Sequence, residues 1–507
     1  MAGKGGIAMT ESVLLGIDIG TSSSKGVLVS AEGEVLAKAS RQHVTEYPHP
    51  GWVEHDAESV WWDDFVALVR ELLPAAEGRE LTGLGVSGIG PVLLPADGAG
   101  NPLRKAILYG VDTRAVKEID ELTEEFGAEE ILRRCGSALS SQAVGPKIRW
   151  LAEHEPEVWQ RTEKLLMCSS YLVHRLTGRY VLDHHSASQC DPIYDLHARD
   201  WATDWAQQVA PDLQLPELAW PTEVVGRVTA QAAAETGLPE GLPVTAGTVD
   251  AWAEATSVGV RDPGDTMLMY GTTMFFVQVL TDPRPHPALW GTCGAYPDTY
   301  TLAAGMATSG AVTEWLRSLV DGDFAELVQE AGTVPAGSRG LLLLPYFAGE
   351  RTPIFDPDAR GVLAGLTLRH GRAELYRAAL EGIGFGVRHN LEAMNAAGGR
   401  AQRLVAVGGG TQGGLWTQIV SDITGQEQQI PAEMIGAAYG DALLAGIATS
   451  TAVAVDDWNP VTRTVRPIPE NTERYEAFYE HYRQLYDATA RTAHFLAEQQ
   501  RVADQDG

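Results

Sequence analysis

Cysteine is scarce in this chain. Cys135, Cys168, Cys190 and Cys293 lie far apart and never form a C-x-x-C pair. That spacing argues against a disulfide framework and fits free thiols in a reducing compartment. Positive charge is scarce too: 38 Lys and Arg stand against 67 Asp and Glu, a net −29. Such a field repels nucleic acid and anionic membranes, so neither is the expected partner. No run of about 18 apolar residues occurs, so no membrane span is expected. Met1–Met9 has no continuous apolar stretch, so no signal peptide is read and the expected location is the cytoplasm. The P-loop pattern G-x-x-x-x-G-K-[ST] and dinucleotide-binding glycine fingerprints are both missing. His184-His185 with Asp183 and Cys190 does not have the spacing of a zinc site.

What is present is an α/β pattern. With 507 residues the chain is too long for one core, and two large domains are expected. The first ten and last six residues are expected to be poorly ordered. Strands read at Leu14–Gly20, Gly26–Ser30, Val35–Ala37, Leu81–Ser87 and Ala106–Leu108, with Glu32-Gly33 as a hairpin turn. Asp56–Leu73 reads as a helix N-capped by Asp56. Trp61 and Trp62 fall at core spacing in it. Residues 115–180 read as mostly helical. A second cycle starts near residue 265, with strands Asp265–Tyr270 and Phe275–Leu280 around Gly271-Thr272-Thr273. Helices at Arg372–Ala397 and Thr472–Glu498 each carry an apolar or aromatic stripe. The clearest boundary falls near Val260–Gly264, where Pro and Gly interrupt the pattern. The units read are 11–259, 260–450 and a 451–507 extension whose long helix packs back on the body.

Four apolar runs break into glycine with Thr, Ser or Asp: at Asp18–Lys25, at Thr245–Asp250, at Gly271–Thr273 and at Gly408–Gly410. A buried strand ending this way offers bare backbone N–H groups to phosphate oxygens. A kinase acting on an alcohol needs a triphosphate cradle, a cation and a base for the hydroxyl proton. Thr21, Ser22 and Lys25 can meet phosphate from one half, and Gly271 and Thr272 from the other. Asp18 ends a buried strand, where a carboxylate calls for a pairing group such as Mg²⁺. Asp250, followed by Ala251-Trp252-Ala253, is the candidate base. Each motif alone has a structural reading: a helix cap for Asp250, a capped turn for Asp18, a tight turn for the glycines. Their order and combination favour phosphoryl transfer.

Residues 12–450 resemble the FGGY carbohydrate kinases of the actin-like (ribonuclease H-like) superfamily. The matching pieces are Gly16–Lys25, Gly51–Asp56, Tyr171–Gly178, Ala246–Asp250, Tyr270–Thr273, Gly349–Pro353 with Ala359–Gly361, and Gly408–Gly410 with Trp416–Gln418. The resemblance implies two duplicated actin-like α/β domains around a cleft, with ATP and Mg²⁺ as cofactors and a sugar or polyol as substrate. It implies Asp250 as base, Asp18 near Mg²⁺ with Asp250 as a second metal neighbour, and Thr21 and Thr272 at the phosphates. Gly310, Glu314, Gly409, Gly410 and Gly414 would surround ribose and adenine. Gly413-Gly414 stands where relatives carry a small polar residue.

Within the family the chain is most similar to kinases of the xylulokinase type, which implies D-xylulose to D-xylulose 5-phosphate. Two departures fall where that family reads its sugar. Ser87-Gly88 is followed by Ile89-Gly90-Pro91 rather than Gln-Met-His. The Trp-x-Asp-x-Arg run is Tyr109-Gly-Val-Asp112-Thr-Arg114. Gly90, Pro91, Tyr109 and Asp112 are therefore the expected sugar contacts, over a wider and less polar floor. Kinases for ribulose, erythritol or glycerol stay open, as do a nucleotide-driven switch without sugar chemistry and a homodimer. A catalytically dead sugar sensor is disfavoured because both Asp18 and Asp250 are present.

Overall fold

The computed structural model describes residues 11–506. The disorder expected of the first ten residues lies outside that range. At the other end, Val502–Asp506 continue the terminal helix instead of leaving it.

The first sheet contains β1 (Ser12–Ile19), β2 (Ser23–Ser30), β3 (Val35–Gln42), β4 (Glu80–Gly88), β5 (Val224–Arg227), β6 (Pro243–Thr245) and β7 (Thr248–Val249). Its order is β5-β6-β4-β1-β2-β3, with β7 pairing β4. The second contains β8 (Asp265–Tyr270), β9 (Met274–Leu280), β10 (Trp290–Cys293), β11 (Tyr300–Met306), β12 (Arg403–Val407), β13 (Gln428–Pro431) and β14 (Val461–Val465). Its order is β10-β11-β9-β8-β12-β13-β14. In each sheet a central strand pairs antiparallel with the next strand and parallel with a later one: β1 with β2 and β4, β8 with β9 and β12. The duplication expected from the repeated loops is thus a duplication of topology. Β3 runs five residues past the expected Ala37, because its outer half pairs with β2 despite being polar.

The helices that matter here are α1 (Asp63–Leu72), α2 (Asp250–Ser257), α3 (Gly310–Leu319), α4 (Arg372–Ala396), α5 (Leu415–Thr424), α6 (Ala437–Ala448) and α7 (Pro469–Asp506). Asp56 caps the turn leading into α1, accepting from the N–H groups of Glu58 and Ser59. Trp61 and Trp62 are buried there. α7 packs on α4 through Tyr475, Tyr479 and Tyr482 around Phe385. The segment after residue 450 also supplies the edge strand β14 of the second sheet. No helix among the described residues is long and apolar enough to cross a membrane.

α2 and α6 cross at the base of the cleft, each lying on the other half's sheet. α2 buries Trp252, Ala255 and Val258 against Met267, Val277, Val405 and Val407. α6 lies on β1, β2 and β4 through Ala438, Tyr439 and Ala442, packed with Leu14, Val27 and Val29. The approach is at backbone range. A Cβ on Gly440 would stand 1.8 Å from the Ala253 carbonyl oxygen, one on Gly16 1.9 Å from that of Ala438, and one on Gly85 2.0 Å from that of Asp441. Glycine is required at all three because any side chain forces the layers apart.

Gly440→Ala is therefore expected to destabilise by about 1–3 kcal/mol or more. Gly332→Ala, at the end of a helix with nothing within 4 Å of the new methyl, is expected to be neutral or slightly stabilising. Thermal unfolding midpoints of the two variants check this. Equal midpoints would contradict the close crossing.

Candidate active site

Each glycine-hydroxyl hairpin has its carbonyls drawn away from the cleft. In the β1–β2 hairpin, the Gly20 carbonyl lies 3.1 Å from His43 Nε2. The Thr21 carbonyl accepts from Thr45 Oγ1 at 2.8 Å, and the Ser22 carbonyl from the His43 N–H at 3.1 Å. His43 is held by Asp64 of α1, whose carboxylate also takes Ser24 Oγ and Arg41 Nε. Thr45 is held by a second relay. Trp61 Nε1 donates to His55 Nδ1, and His55 Nε2 faces Thr45 Oγ1 at 3.0 Å. That pattern requires a neutral His55, and burial does lower it to about 4. In the β8–β9 hairpin, the Gly271 carbonyl accepts from Gly310 N–H, and the Thr272 carbonyl from the N–H groups of Ser309 and Ala311. With those carbonyls engaged, the turns keep N–H groups and the Ser22 and Thr272 hydroxyls as their free polar groups, the polarity an anion needs.

Gly310 does not simply line a nucleotide pocket: a Cβ there would meet the Gly271 carbonyl at 2.6 Å, so it seats α3 under the hairpin. Gly408 has φ +92 and no room for a Cβ beside the Tyr270 carbonyl, and Gly410 has none beside Trp416. Gly409, exposed with nothing within 4 Å, is the open face of that turn. Gly414 takes φ +73 at the start of α5, with Arg463 Nη1 3.5 Å from its would-be Cβ. Glu314 is exposed on α3 and pairs with Arg317.

At the α2–α6 crossing four acids gather. Asp18 ends β1, opposite Lys25 in register. Asp250 opens α2, its Oδ1 accepting from the Ala251 N–H at 2.7 Å, and Glu254 lies one turn on. Asp441 comes from α6. Ser87 Oγ lies 3.1 Å from Asp18 Oδ1 and 2.7 Å from Asp441 Oδ2. Burial pushes Asp18 up to about 6 and Glu254 up to about 7. Burial, and then the Asp18 charge, hold Asp250 and Asp441 well above the ordinary carboxylate range. Lys25 opposes this from the start of α6: a Cβ on Gly436 would stand 4.0 Å from its Nζ and 3.9 Å from Glu254 Oε2.

From the first half, Tyr109 also meets the site. Burial, then the charge of Asp250, raise its phenol, while a hydrogen bond with Thr21 and the Arg351 guanidinium act the other way. Two expectations change. Asp112 does not reach the cleft: its carboxylate is fully buried, taken by Arg114 and by the N–H groups of Val53 and Arg114. Gly90 and Pro91 do not make a wider floor, because Val249 Cγ2 would lie 2.7 Å from a Cβ on Gly90 and Pro91 is buried. His43, Thr45, His55, Asp64 and Arg351 were not read from the sequence. Of these, Arg351 and His55 had a signal, their places in Gly349–Pro353 and Gly51–Asp56.

Two sheets of one topology, each with a glycine-hydroxyl hairpin, and a cluster of acids where α2 and α6 join them, define a two-domain phosphotransferase of the actin-like class. The chain belongs to the FGGY family of carbohydrate kinases, whose N-terminal domain matches residues 13–257 and whose C-terminal domain matches 266–449. It is 31% identical to the xylulose kinase of Escherichia coli over 93% of this chain and 98% of that one. It is also 31% identical to a glycerol kinase of Nocardia farcinica, over 90% and 95%. Among solved structures, the xylulose kinase of Rhodospirillum rubrum superposes with a TM-score of 0.89 at 33% identity, over 95% and 100% of the two chains. Kinases of this family use ATP.

The acid cluster has a signature in stability. Groups with raised native pKa values bind protons more tightly folded than unfolded, so they weaken the fold as pH rises through the native value. Asp250→Asn is expected to raise the thermal midpoint of the ligand-free protein at pH 8, with the gain fading as pH falls into the ordinary carboxylate range. Midpoints of both proteins measured across that pH span check it. A pH-independent difference would mean that Asp250 does not feel its neighbours.

Proposed function

We propose that this chain transfers the γ-phosphoryl group of ATP to a hydroxyl of a ketopentose, D-xylulose being the first candidate. The observation that carries this is Asp250. It is a half-buried acid at the start of α2, within the electrostatic reach of Asp18 and Tyr109. The sugar side is 11–259 and the nucleotide side 260–450, with 451–507 backing the latter. Asp250, ionised, accepts the proton of the attacking hydroxyl while that oxygen forms its bond to the γ-phosphorus. The bond to the β-γ bridging oxygen breaks, and its electron pair leaves with ADP. Thr21, Ser22, Lys25 and Thr272 meet the phosphates, while Gly271, its N–H given to the Thr273 carbonyl and its carbonyl taken by Gly310, shapes the turn. Gly409, Gly410 and Gly414 border the adenosine. Tyr109 orients the sugar.

The site fits magnesium by its donors. Hard carboxylate oxygens gather with one lysine, and Asp441 Oδ1 is buried without a partner. The acids do not close into a cage of three. Among the described residues the only such trio lies elsewhere, at Glu118, Glu153 and His154. That suits an ion held by Asp18 directly or through water, with Asp250 near and phosphate oxygens completing its shell. Bound there, magnesium neutralises phosphate charge.

The second reading is a kinase for another ketose or a polyol. It is favoured by Pro91 in place of the histidine and by the likeness to a glycerol kinase. A panel of ketoses and polyols with MgATP, read by coupled ADP production, decides between them. D-xylulose is expected to give the highest kcat/KM; a polyol ahead of every ketose would overturn the pentulose reading. Asp250→Asn is expected to lower turnover about 10²–10⁴-fold with ATP affinity kept. The acidic limb of wild-type kcat/KM is expected well above the ~3.9 of a solvated aspartate, because the base works only when ionised. Near-normal turnover in the variant would remove Asp250 from the chemistry.

A further inference from the structure

The run Gly349–Pro353 has one residue without a structural task. Gly349 takes φ +71, where a Cβ would stand 2.7 Å from the Pro357 carbonyl oxygen. Glu350 pairs its backbone with Asp356, and its Oε1 accepts from the N–H groups of Ala307 and Arg351. Thr352 Oγ1 bonds the Gly305 backbone and Asn390. Asp356, across the turn, accepts from Tyr486 and His494 of α7. These contacts tie the loop to itself, to the end of β11, to α4 and to the terminal helix.

What the loop holds out is the Arg351 side chain. It makes a single hydrogen bond, from Nη2 to the Met306 carbonyl at 3.2 Å. Among the described residues no carboxylate oxygen pairs with its guanidinium within 4 Å. Glu350, its chain neighbour, acts on it electrostatically but forms no ion pair with it, and burial pushes the Glu350 carboxyl up to about 8. The arginine is half-buried, and burial lowers its own pKa. A half-buried guanidinium with unclaimed N–H groups is a site waiting for an anion. Its surroundings name the anion. Met306 pairs in register with Met274, the residue directly after Gly271-Thr272-Thr273. On the other side, Arg351 is felt by Tyr109, which also feels Asp250. Arg351 thus lies beside the strand that pairs with the one leaving the Gly271–Thr273 hairpin, and within electrostatic reach of Tyr109.

We propose that Arg351 is a catalytic residue that grips the phosphoryl group as it passes from ATP to the sugar hydroxyl, and that it also binds the phosphate of the product. This rests on the phosphotransfer reading above. The guanidinium fork takes two oxygens of the phosphoryl group, which a lysine cannot do with one geometry. It adds no atom to the reaction: the proton still goes to Asp250 and the electron pair to ADP. Because Arg351 belongs to the second half and the base to the first, the grip exists only where both halves meet the substrate.

The test uses Arg351→Gln and Arg351→Lys in the full chain. Kinetics are measured on the best sugar of the panel, with calorimetric binding of that sugar and, separately, of its phosphate. Arg351→Gln is expected to lower kcat about 10²–10³-fold. It is expected to weaken the sugar phosphate roughly 10–100-fold and to leave the unphosphorylated sugar unchanged. Arg351→Lys is expected to recover part of kcat and less of the phosphate affinity. Wild-type kcat in Arg351→Gln overturns the proposal. So does a loss shared equally by sugar and sugar phosphate, which marks a packing or sugar-orienting residue. A wild-type protein that phosphorylates nothing on the panel overturns the phosphotransfer reading, and this one with it; a turning-over wild type beside an indifferent variant overturns only Arg351.

Discussion

The backbone-range crossing of α2 and α6 is the constraint on which the cleft depends. Gly440 against Ala253 brings two helix axes together with no side chain between them. Gly16 and Gly85 let α6 settle onto β1 and β4 at similar range. Because α2 rests on the second sheet and α6 on the first, each half is tied to the other's core. Asp250 and Glu254 on α2, Asp441 and Gly436 on and before α6, and Asp18 at the end of β1 are neighbours for that reason alone. A larger residue at any of the three glycines would open the angle and disperse them.

The closeness has an electrostatic consequence. Four acids gather there, and the Lys25 charge opposes the rise at Asp18, Asp250 and Glu254. Burying carboxylates together raises their pKa values and works against folding above those values. The arrangement makes sense for a site that is completed by its ligands. Around it, the protein supplies positive polarity by turning hairpin carbonyls back into the structure and by holding out the Arg351 guanidinium. Two relays hold the first hairpin from behind, through Asp64 and His43 and through Trp61, His55 and Thr45. The second hairpin is held by the first turn of α3.

Much of the scaffold was legible in the chain. Buried strands such as β1, β8 and β12 are apolar runs with glycine stops, and α4 carries its stripe over seven turns. The outer half of β3 was not legible, since Lys38, Ser40 and Arg41 are polar and only their pairing with β2 carries the strand past Ala37. Asp112 was misread for a related cause. Local sequence shows an acid near a tyrosine, but not that Arg114 and the Val53 N–H will claim both of its oxygens. The space beside Gly90 was misjudged because Val249, 159 positions away, fills it.

The sequence by itself determined the chemistry on offer: which strands end in glycine-hydroxyl loops, that Asp18 and Asp250 sit at strand ends, and that the pattern occurs twice. These are local properties, set by residue type and spacing. Tertiary structure alone decided which groups work together. It joined Asp441 to Asp18 through Ser87, turned the hairpin carbonyls away from the cleft, withdrew Asp112 into an ion pair and left Arg351 without one. Each of those outcomes depends on packing between segments tens to hundreds of residues apart, where a backbone fit of about an ångström settles whether a polar group meets protein or ligand.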